Sequence, residues 1–109
     1  MLPDHNPGLG KGIFAPFFNI PCNTAPLVLR LIKQTNAVPL YVYASRLNNG
    51  KGYEINITLL EGDIYSDDPV VAATELNRVL EKSIRTLPSQ YQWGYKKFKY
   101  QPNGKNYYS

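Results

Sequence analysis

The chain has 109 residues, of which 43% are hydrophobic, and carries a formal net charge of +4. This length allows one domain with a small core, and no apolar run approaches the roughly 20 residues that a membrane-spanning helix needs. Cys22 is the single cysteine, which excludes an internal disulfide and suits a reducing compartment.

The N-terminal third is predicted to hold a loop, a short strand and a helix. Residues 3–12 contain two prolines and three glycines, as irregular backbone often does. The apolar run 13–18 contains Pro16, which cannot donate to a central ladder, so a short or edge strand is expected. Thr24 is a plausible N-cap for the helix that follows. Its other signals are Pro26 near the first turn, Asn36 after the last turn and an apolar face of Leu27, Val28, Leu31 and Ile32.

Two strands joined by a tight turn are predicted next. Residues 38–44 are β-branched and aromatic, which is typical of a buried strand. Residues 48–52 read Asn-Asn-Gly-Lys-Gly and form a strong hairpin signal. Residues 53–60 alternate apolar and polar side chains, so they are expected to form a half-buried strand.

The last part of the chain is predicted to be helical. Residues 61–68 form an acidic loop, and Asp68 followed by Pro69 is typical of a helix start. This helix would run to about residue 86 and bury Ala72, Ala73, Leu76, Val79, Leu80, Ile84 and Leu87. Pro88 ends it, and a short helix is expected over residues 89–97. The order β-α-β-β-α-α indicates an α/β or α+β layer.

Charge is unevenly distributed along the chain. No acidic residue follows Glu81, whereas six basic residues do: Lys82, Arg85, Lys96, Lys97, Lys99 and Lys105. This asymmetry suggests an anionic partner, such as lipid phosphates, a membrane surface or nucleic acid. The aromatic residues among the lysines are compatible with base stacking, but also with packing beneath the preceding helix; nucleic acid is the least favoured of these partners.

Few residues of this chain are suited to catalysis or metal binding. His5 is the only histidine, and the neighbouring side chain of Asp4 would point away from it in an extended segment. One histidine and one cysteine make a zinc site improbable. Residues 8–12 are glycine-rich but lack the Lys-Ser/Thr ending of a phosphate-binding loop. No metal and no cofactor are expected.

Both ends of the chain resemble one family, the lipid A biosynthesis (lauroyl/myristoyl) acyltransferases of the lysophospholipid acyltransferase-like superfamily. Residues 2–8 and 12–18 look like its Pro-Asp-(His/Gln) loop and the strand after it, and residues 90–93 and 97–99 resemble its closing motifs. Weaker matches lie between them, at Pro21, Thr24, Arg30, Leu31, Val38, Pro39, Arg46, Gly52, Tyr53, Asn77 and Glu81. The resemblance covers roughly residues 2–102.

The resemblance implies an activity and a fold. Such enzymes move a fatty acyl chain from acyl carrier protein to a hydroxyl of a lipid A precursor, at the cytoplasmic face of the bacterial inner membrane. The implied fold is a glycerolipid-acyltransferase α/β sandwich with a mixed sheet, here incomplete. Residues 1–102 would be the C-terminal part of one acyltransferase domain, and residues 103–109 a frayed polar tail.

The resemblance also implies which residues take part. The family's general base is the His of a His-x-x-x-x-Asp motif; counted from His5, the aspartate position is Gly10, so no catalytic residue is expected and the chain alone would be inactive. Asp4 and His5 would lie at the rim of the active site. Lys96, Lys97, Lys99 and Arg46 would be candidates for phosphate contacts. Asp4 capping its own loop and Arg46 as a solvated strand end remain alternatives.

Two other functions remain open. The chain could be a non-catalytic module that binds a membrane surface through its basic, aromatic C-terminus, or that pairs with an N-terminal half supplied by another chain. It could also be a small nucleic-acid binder. If the chain is one part of a larger acyltransferase fold, an uncovered strand edge would make the isolated chain marginally stable.

Overall fold

A computed structural model describes residues 5–8, 10–91 and 95–104. The strands are β1 (Ile13–Phe17), β2 (Ile20–Thr24), β3 (Leu40–Arg46) and β4 (Tyr53–Leu59), and the helices are α1 (Leu27–Thr35) and α2 (Pro69–Thr86). Single 3₁₀ turns lie at Asn48–Gly50, Gly62–Tyr65 and Pro88–Gln90. The described part of the chain is a small α/β unit.

The predicted order and sheet type are wrong in detail. The strands form two separate antiparallel pairs, β1 with β2 and β3 with β4, so the order is β-β-α-β-β-α and no mixed sheet forms among the described residues. Instead of a helix over 89–97, a 3₁₀ turn at Pro88–Gln90 is followed by turns and bends in the described residues.

β1 and β2 form a hairpin that the sequence patterns did not reveal. Its two-residue turn is Phe18-Asn19, with φ of 49° and 62°, and positive φ at both positions matches the twist of a hairpin. The turn was missed because it contains no glycine. Phe18 is held there by an edge-on contact with the ring of Phe17, at 4.8 Å between centroids. Its N–H also donates to Glu81 Oε1 at 2.5 Å.

α1 has the expected position but a different buried face. Thr24 is the last residue of β2 rather than the N-cap, which is Pro26. The helix buries Leu29 and Ile32, against the side of the core formed by Ile64 and the first turns of α2. Leu27 and Leu31, predicted on that face, are exposed, because a nine-residue helix with apolar residues on two sides can bury only one of them. Asn36 is left-handed as predicted, with φ of 53°.

α2 buries one face, as predicted, although Val79 and Leu87 on that predicted face are only half-buried. The Asp68 carboxylate accepts from the N–H of Val70 at 2.9 Å and caps the helix. One face of α2 is buried through Ala72, Ala73, Leu76, Asn77, Leu80 and Ile84. The first half of this face meets α1 and Ala15, and the second half meets Phe17 and Cys22.

The β3–β4 hairpin forms as predicted, but its apolar face is not buried. Asn49 and Gly50 make the turn with φ of 61° and 68°. The prediction of a buried strand at 38–44 and a half-buried strand at 53–60 is wrong for this chain, since Val42 is 53% and Ile57 is 63% exposed. The register explains this: the polar side of the hairpin faces α2, where Tyr41 Oη lies 2.8 Å from Ser83 Oγ.

Of the helices that the structure describes, none combines the length and the hydropathy that a transmembrane span requires.

Candidate functional site

The two ends of the described chain meet on one side of the β1–β2 hairpin. The imidazole of His5 stacks on the ring of Tyr95, with centroids 5.3 Å apart and planes at 25°. The N–H of Asn6 donates to Tyr95 Oη at 2.7 Å, a contact between residues 89 positions apart. We call residues 5–8 and 95–101 the terminal surface.

Asn23 holds the N-terminal loop of the terminal surface against β2. Its side-chain Nδ2 donates to Asn6 Oδ1 at 3.1 Å and to the carbonyl of Gly8 at 2.8 Å. Gly12 has to lack a side chain, because a Cβ there would collide with the amide of Asn23 and the ring of Pro7. The loop geometry therefore depends on one buried amide and one glycine.

Gln101 holds the C-terminal segment of the terminal surface to the same strand. Its Nε2 donates to the carbonyl of Pro21 at 2.8 Å and to that of Phe98 at 3.0 Å. Phe98 and Tyr91 pack against the core around Phe17 and Ile84. For these two aromatic residues the packing interpretation is confirmed, whereas Trp93 lies outside the described residues.

The three lysines of the C-terminal motif have two different environments. Lys96 and Lys99 are exposed, and Lys99 Nζ lies 5.4 Å from the centroid of the Tyr100 ring. Lys97 is 2% exposed, and its Nζ lies 5.0 Å from the centroid of the Phe17 ring. In this structure Lys97 is part of the packing beneath the terminal surface, whereas Lys96 and Lys99 lie at its exposed side.

Cys22 lies beside Lys97 and is fully buried. Burial raises the pKa of the Cys22 thiol, and the charge and hydrogen bond of Lys97 oppose this only in part. Since the thiolate is the nucleophilic form of cysteine, a buried thiol with a raised pKa is unsuited to covalent catalysis. Cys22 is a small core residue in this fold.

The other predicted site residues are not part of this cluster or cannot be described. Arg46 ends β3, in the other hairpin, where its N–H donates to Gln90 Oε1 at 2.7 Å and its carbonyl accepts from Gln90 Nε2 at 3.1 Å. Asp4 lies outside the described residues. His5 is exposed, and its imidazole stacks on the Tyr95 ring.

A cleft of about 610 Å³ lies between the β3–β4 hairpin and α2. Its lining carries charges of both signs, from Glu61, Asp63 and Glu75 and from Arg78 and Lys82. Glu75 and Arg78 are already paired at 2.7 Å. Across the described ranges, no three histidine, cysteine or acidic side chains are grouped as metal ligands would be.

Sequence reasoning missed the residues that assemble the terminal surface. Asn23, Tyr95 and Gln101 make its long-range hydrogen bonds, yet no local pattern identifies them. Their only signal is polarity next to apolar neighbours, which is also found in many exposed residues.

Comparison with known proteins links this geometry to a family. Residues 1–100 match the family described as bacterial lipid A biosynthesis acyltransferase. The chain is 31% identical over 103 residues to the lipid A biosynthesis lauroyltransferase of Escherichia coli, covering 94% of the chain and 34% of that relative. It is 34% identical over 108 residues to the palmitoleoyltransferase of the same organism, with 95% and 34% covered.

A relative from Haemophilus influenzae gives the same result. This lipid A biosynthesis acyltransferase is 29% identical over 105 residues, covering 94% of the chain and 34% of the relative. The chain thus spans about a third of the length of the curated relatives that it matches.

Proposed function

Because this chain belongs to the bacterial lipid A biosynthesis acyltransferase family, we propose that it forms the C-terminal part of such an enzyme. The reaction would move a fatty acyl chain from acyl carrier protein to a hydroxyl of a lipid A precursor, at the cytoplasmic face of the bacterial inner membrane. Relatives named as lauroyl- and palmitoleoyltransferases of lipid A biosynthesis support this proposal. Residues 1–102 would belong to one acyltransferase domain, with 103–109 as its polar tail.

The terminal surface would contact the phosphates of the precursor. The observation that carries this role is the stacking of His5 on Tyr95, which brings the N-terminal loop next to the exposed Lys96. Ammonium groups on an exposed surface can form charge-assisted hydrogen bonds to phosphate oxygens. Lys96 and Lys99 would make these contacts, Asp4 and His5 would line the rim, and Lys97 would support the segment from below.

The role of the terminal surface can be tested in a hybrid enzyme. This chain would replace the segment that it matches in the Escherichia coli lauroyltransferase, and Lys96→Ser with Lys99→Ser would be introduced. We expect the KM for the precursor to rise about tenfold or more, since each hydrogen bond to a charged group contributes roughly 1.5–3 kcal/mol. Lys51→Ser, in the β3–β4 turn, is the matched control. Equal KM values for all hybrids would exclude this role.

The chain alone would not transfer acyl groups. The aspartate position of a His-x-x-x-x-Asp motif that begins at His5 is Gly10, and the contact of the His5 ring is an aromatic stack. A general base needs an orienting partner and a substrate hydroxyl within hydrogen-bond reach. An assay of the 109 residues with acyl carrier protein thioester and lipid A precursor is expected to give no product, and turnover would contradict the proposal.

A second candidate function is non-catalytic binding to an anionic membrane surface. It is favoured by the exposure of Lys96 and Lys99 on one segment, because basic clusters bind anionic lipid in a salt-dependent way. Binding of the chain to vesicles with and without phosphatidylserine, measured at low and high salt, tests this function. Binding that ignores lipid charge and salt would exclude it, and a salt-sensitive shift of single-stranded DNA would instead favour nucleic acid.

A further inference from the structure

The β3–β4 hairpin has one face that is almost entirely apolar and points away from the rest of the structure. Antiparallel pairing places Leu40 opposite Leu59, Val42 opposite Ile57 and Ala44 opposite Ile55. Since alternate side chains share one side of a strand, these six residues lie together. We call them the outer face. All six are exposed. Ile57, near the centre of the outer face, is more exposed than Leu40, Val42, Ile55 and Leu59.

The opposite side of the same hairpin is polar and aromatic. Tyr41 lies opposite Thr58, Tyr43 opposite Asn56, and Ser45 opposite Glu54. This is the side that meets α2, through Tyr41 and Ser83. The hairpin is therefore turned so that its more polar side faces the core of this chain and its apolar side faces outward.

A further layer that covers the outer face would stabilise this orientation. A two-stranded hairpin is marginal in water by itself, and a sheet with an apolar face is stabilised when that face is buried against another element. Contiguous exposed apolar side chains mark interaction surfaces. The six residues of the outer face include no charged side chain, and the same side of the hairpin ends at the pair of Arg46 and Tyr53.

The matched relatives indicate what covers it. This chain covers 34% of the length of each of the two Escherichia coli relatives. About two thirds of their polypeptide therefore has no counterpart in these 109 residues. We propose that the outer face docks against that remaining part of the acyltransferase fold, on the same or on a separate polypeptide. This inference rests on the family membership behind the proposed function, and does not depend on its substrate.

Thiol labelling in the hybrid with the Escherichia coli lauroyltransferase tests this docking. Ile57→Cys reports on the outer face, and Val70→Cys, on the first turn of α2, is the matched exposed control. The parent hybrid corrects for other cysteines, and the buried Cys22 reports on folding. The same two variants of the isolated chain give the rates in the absence of the remaining part.

We expect labelling at position 57 to be slower in the hybrid than in the isolated chain by roughly tenfold or more, because a buried thiol reacts only when the interface opens. Labelling at position 70 should be the same in both. Fast labelling at 57 in a hybrid whose Cys22 stays protected would overturn the proposal. A hybrid in which Cys22 also reacts would count against the proposal, because the chain would then fail to fold against the remaining part of a family member.

Labelling of the isolated chain tests two other ways in which the outer face could be covered, by a second copy of the chain or by a membrane. Protection of position 57 that increases with protein concentration and accompanies a dimer in ultracentrifugation would assign the outer face to a second copy. Protection on addition of lipid vesicles would assign it to a membrane. Either result, found together with fast labelling in the hybrid, overturns the proposal. These readouts measure burial and not acyl transfer, so they do not depend on whether the substrate assignment is correct.

Discussion

The two hairpins of this chain are similar in construction and opposite in environment. β1–β2 lies between α2 and the two terminal segments, and Phe17 and Cys22 within it are buried. β3–β4 is longer and rich in β-branched residues, yet its apolar side is exposed. Apolar content alone therefore does not decide whether a hairpin is buried; burial depends on which face of the strand pair meets the rest of the chain.

The hairpins also differ in how they are attached to α2. Asn77 on α2 donates to Thr24 Oγ1 at 2.9 Å, and this bond lies in the buried core. The attachment of β3 at Tyr41 and Ser83 is only partly buried. A buried hydrogen bond leaves an unsatisfied group when one partner is removed, whereas water can replace a partner at an accessible site. The following four substitutions in the isolated chain test this contrast.

Phe17→Ala is expected to have the largest effect. The side chain is 1% exposed and contacts the rings of Phe18 and Phe98. Truncation of a buried phenylalanine costs about 3–5 kcal/mol, which is enough to remove the cooperative transition of a marginal domain. Urea denaturation followed by circular dichroism measures this. A variant that unfolds like the parent would mean that the first hairpin is no better packed than the second.

Asn77→Ala should follow, with a loss of about 1–3 kcal/mol, the usual cost of leaving a buried polar partner unsatisfied. It removes the donor to Thr24 and loosens the contact between α2 and β2. Asn56→Ala, on β4, is the control, because the Asn56 amide bonds to Ser45 at a partly buried position. Equal losses for the two variants would contradict the contrast between the hairpins.

Ser83→Ala should cost less, about 0.5–1.5 kcal/mol, the net value of an ordinary hydrogen bond. It removes the contact with Tyr41 Oη. If the midpoint of denaturation falls as far as for Asn77→Ala, the second hairpin is held more tightly to α2 than the structure indicates.

Ile57→Ala should be nearly neutral in the isolated chain, within about ±0.5 kcal/mol, as for most surface substitutions. The same substitution in the hybrid enzyme should cost about 2–5 kcal/mol, the range for a buried isoleucine, if the outer face is covered there. A large loss in the isolated chain would show that the outer face is already buried there, and that the two hairpins do not differ in environment.

Much of the local structure could be predicted from the sequence, because its signals are local. The cap at Asp68, the αL residue Asn36 and the turn around Gly50 each depend on the conformation of a few residues. The alternation in 53–60 correctly indicated a strand with two unlike faces. It could not indicate which face would be buried, since that depends on elements distant in the sequence.

The candidate site was predictable only in part. The resemblance grouped motifs from the two ends of the chain, and the contact between His5 and Tyr95 joins the N-terminal motif to the segment between the two closing motifs. The spacing of Lys96, Lys97 and Lys99 could not separate the buried lysine from the exposed ones, because the segment is neither a strand nor a helix with a fixed period. The turn at Phe18-Asn19 was missed since non-glycine residues rarely adopt positive φ.

The side chain of Gln90 has a consequence for how the second hairpin can be extended. Its amide pairs with both the N–H and the carbonyl of Arg46, as the backbone of a neighbouring strand would. The backbone groups at 40, 42 and 44 point to the same edge by alternation. A strand from another polypeptide could therefore pair along these positions but would have to stop before residue 46. Gln90 thus limits the length over which a further strand can join this sheet, and shortens the edge open to aggregation.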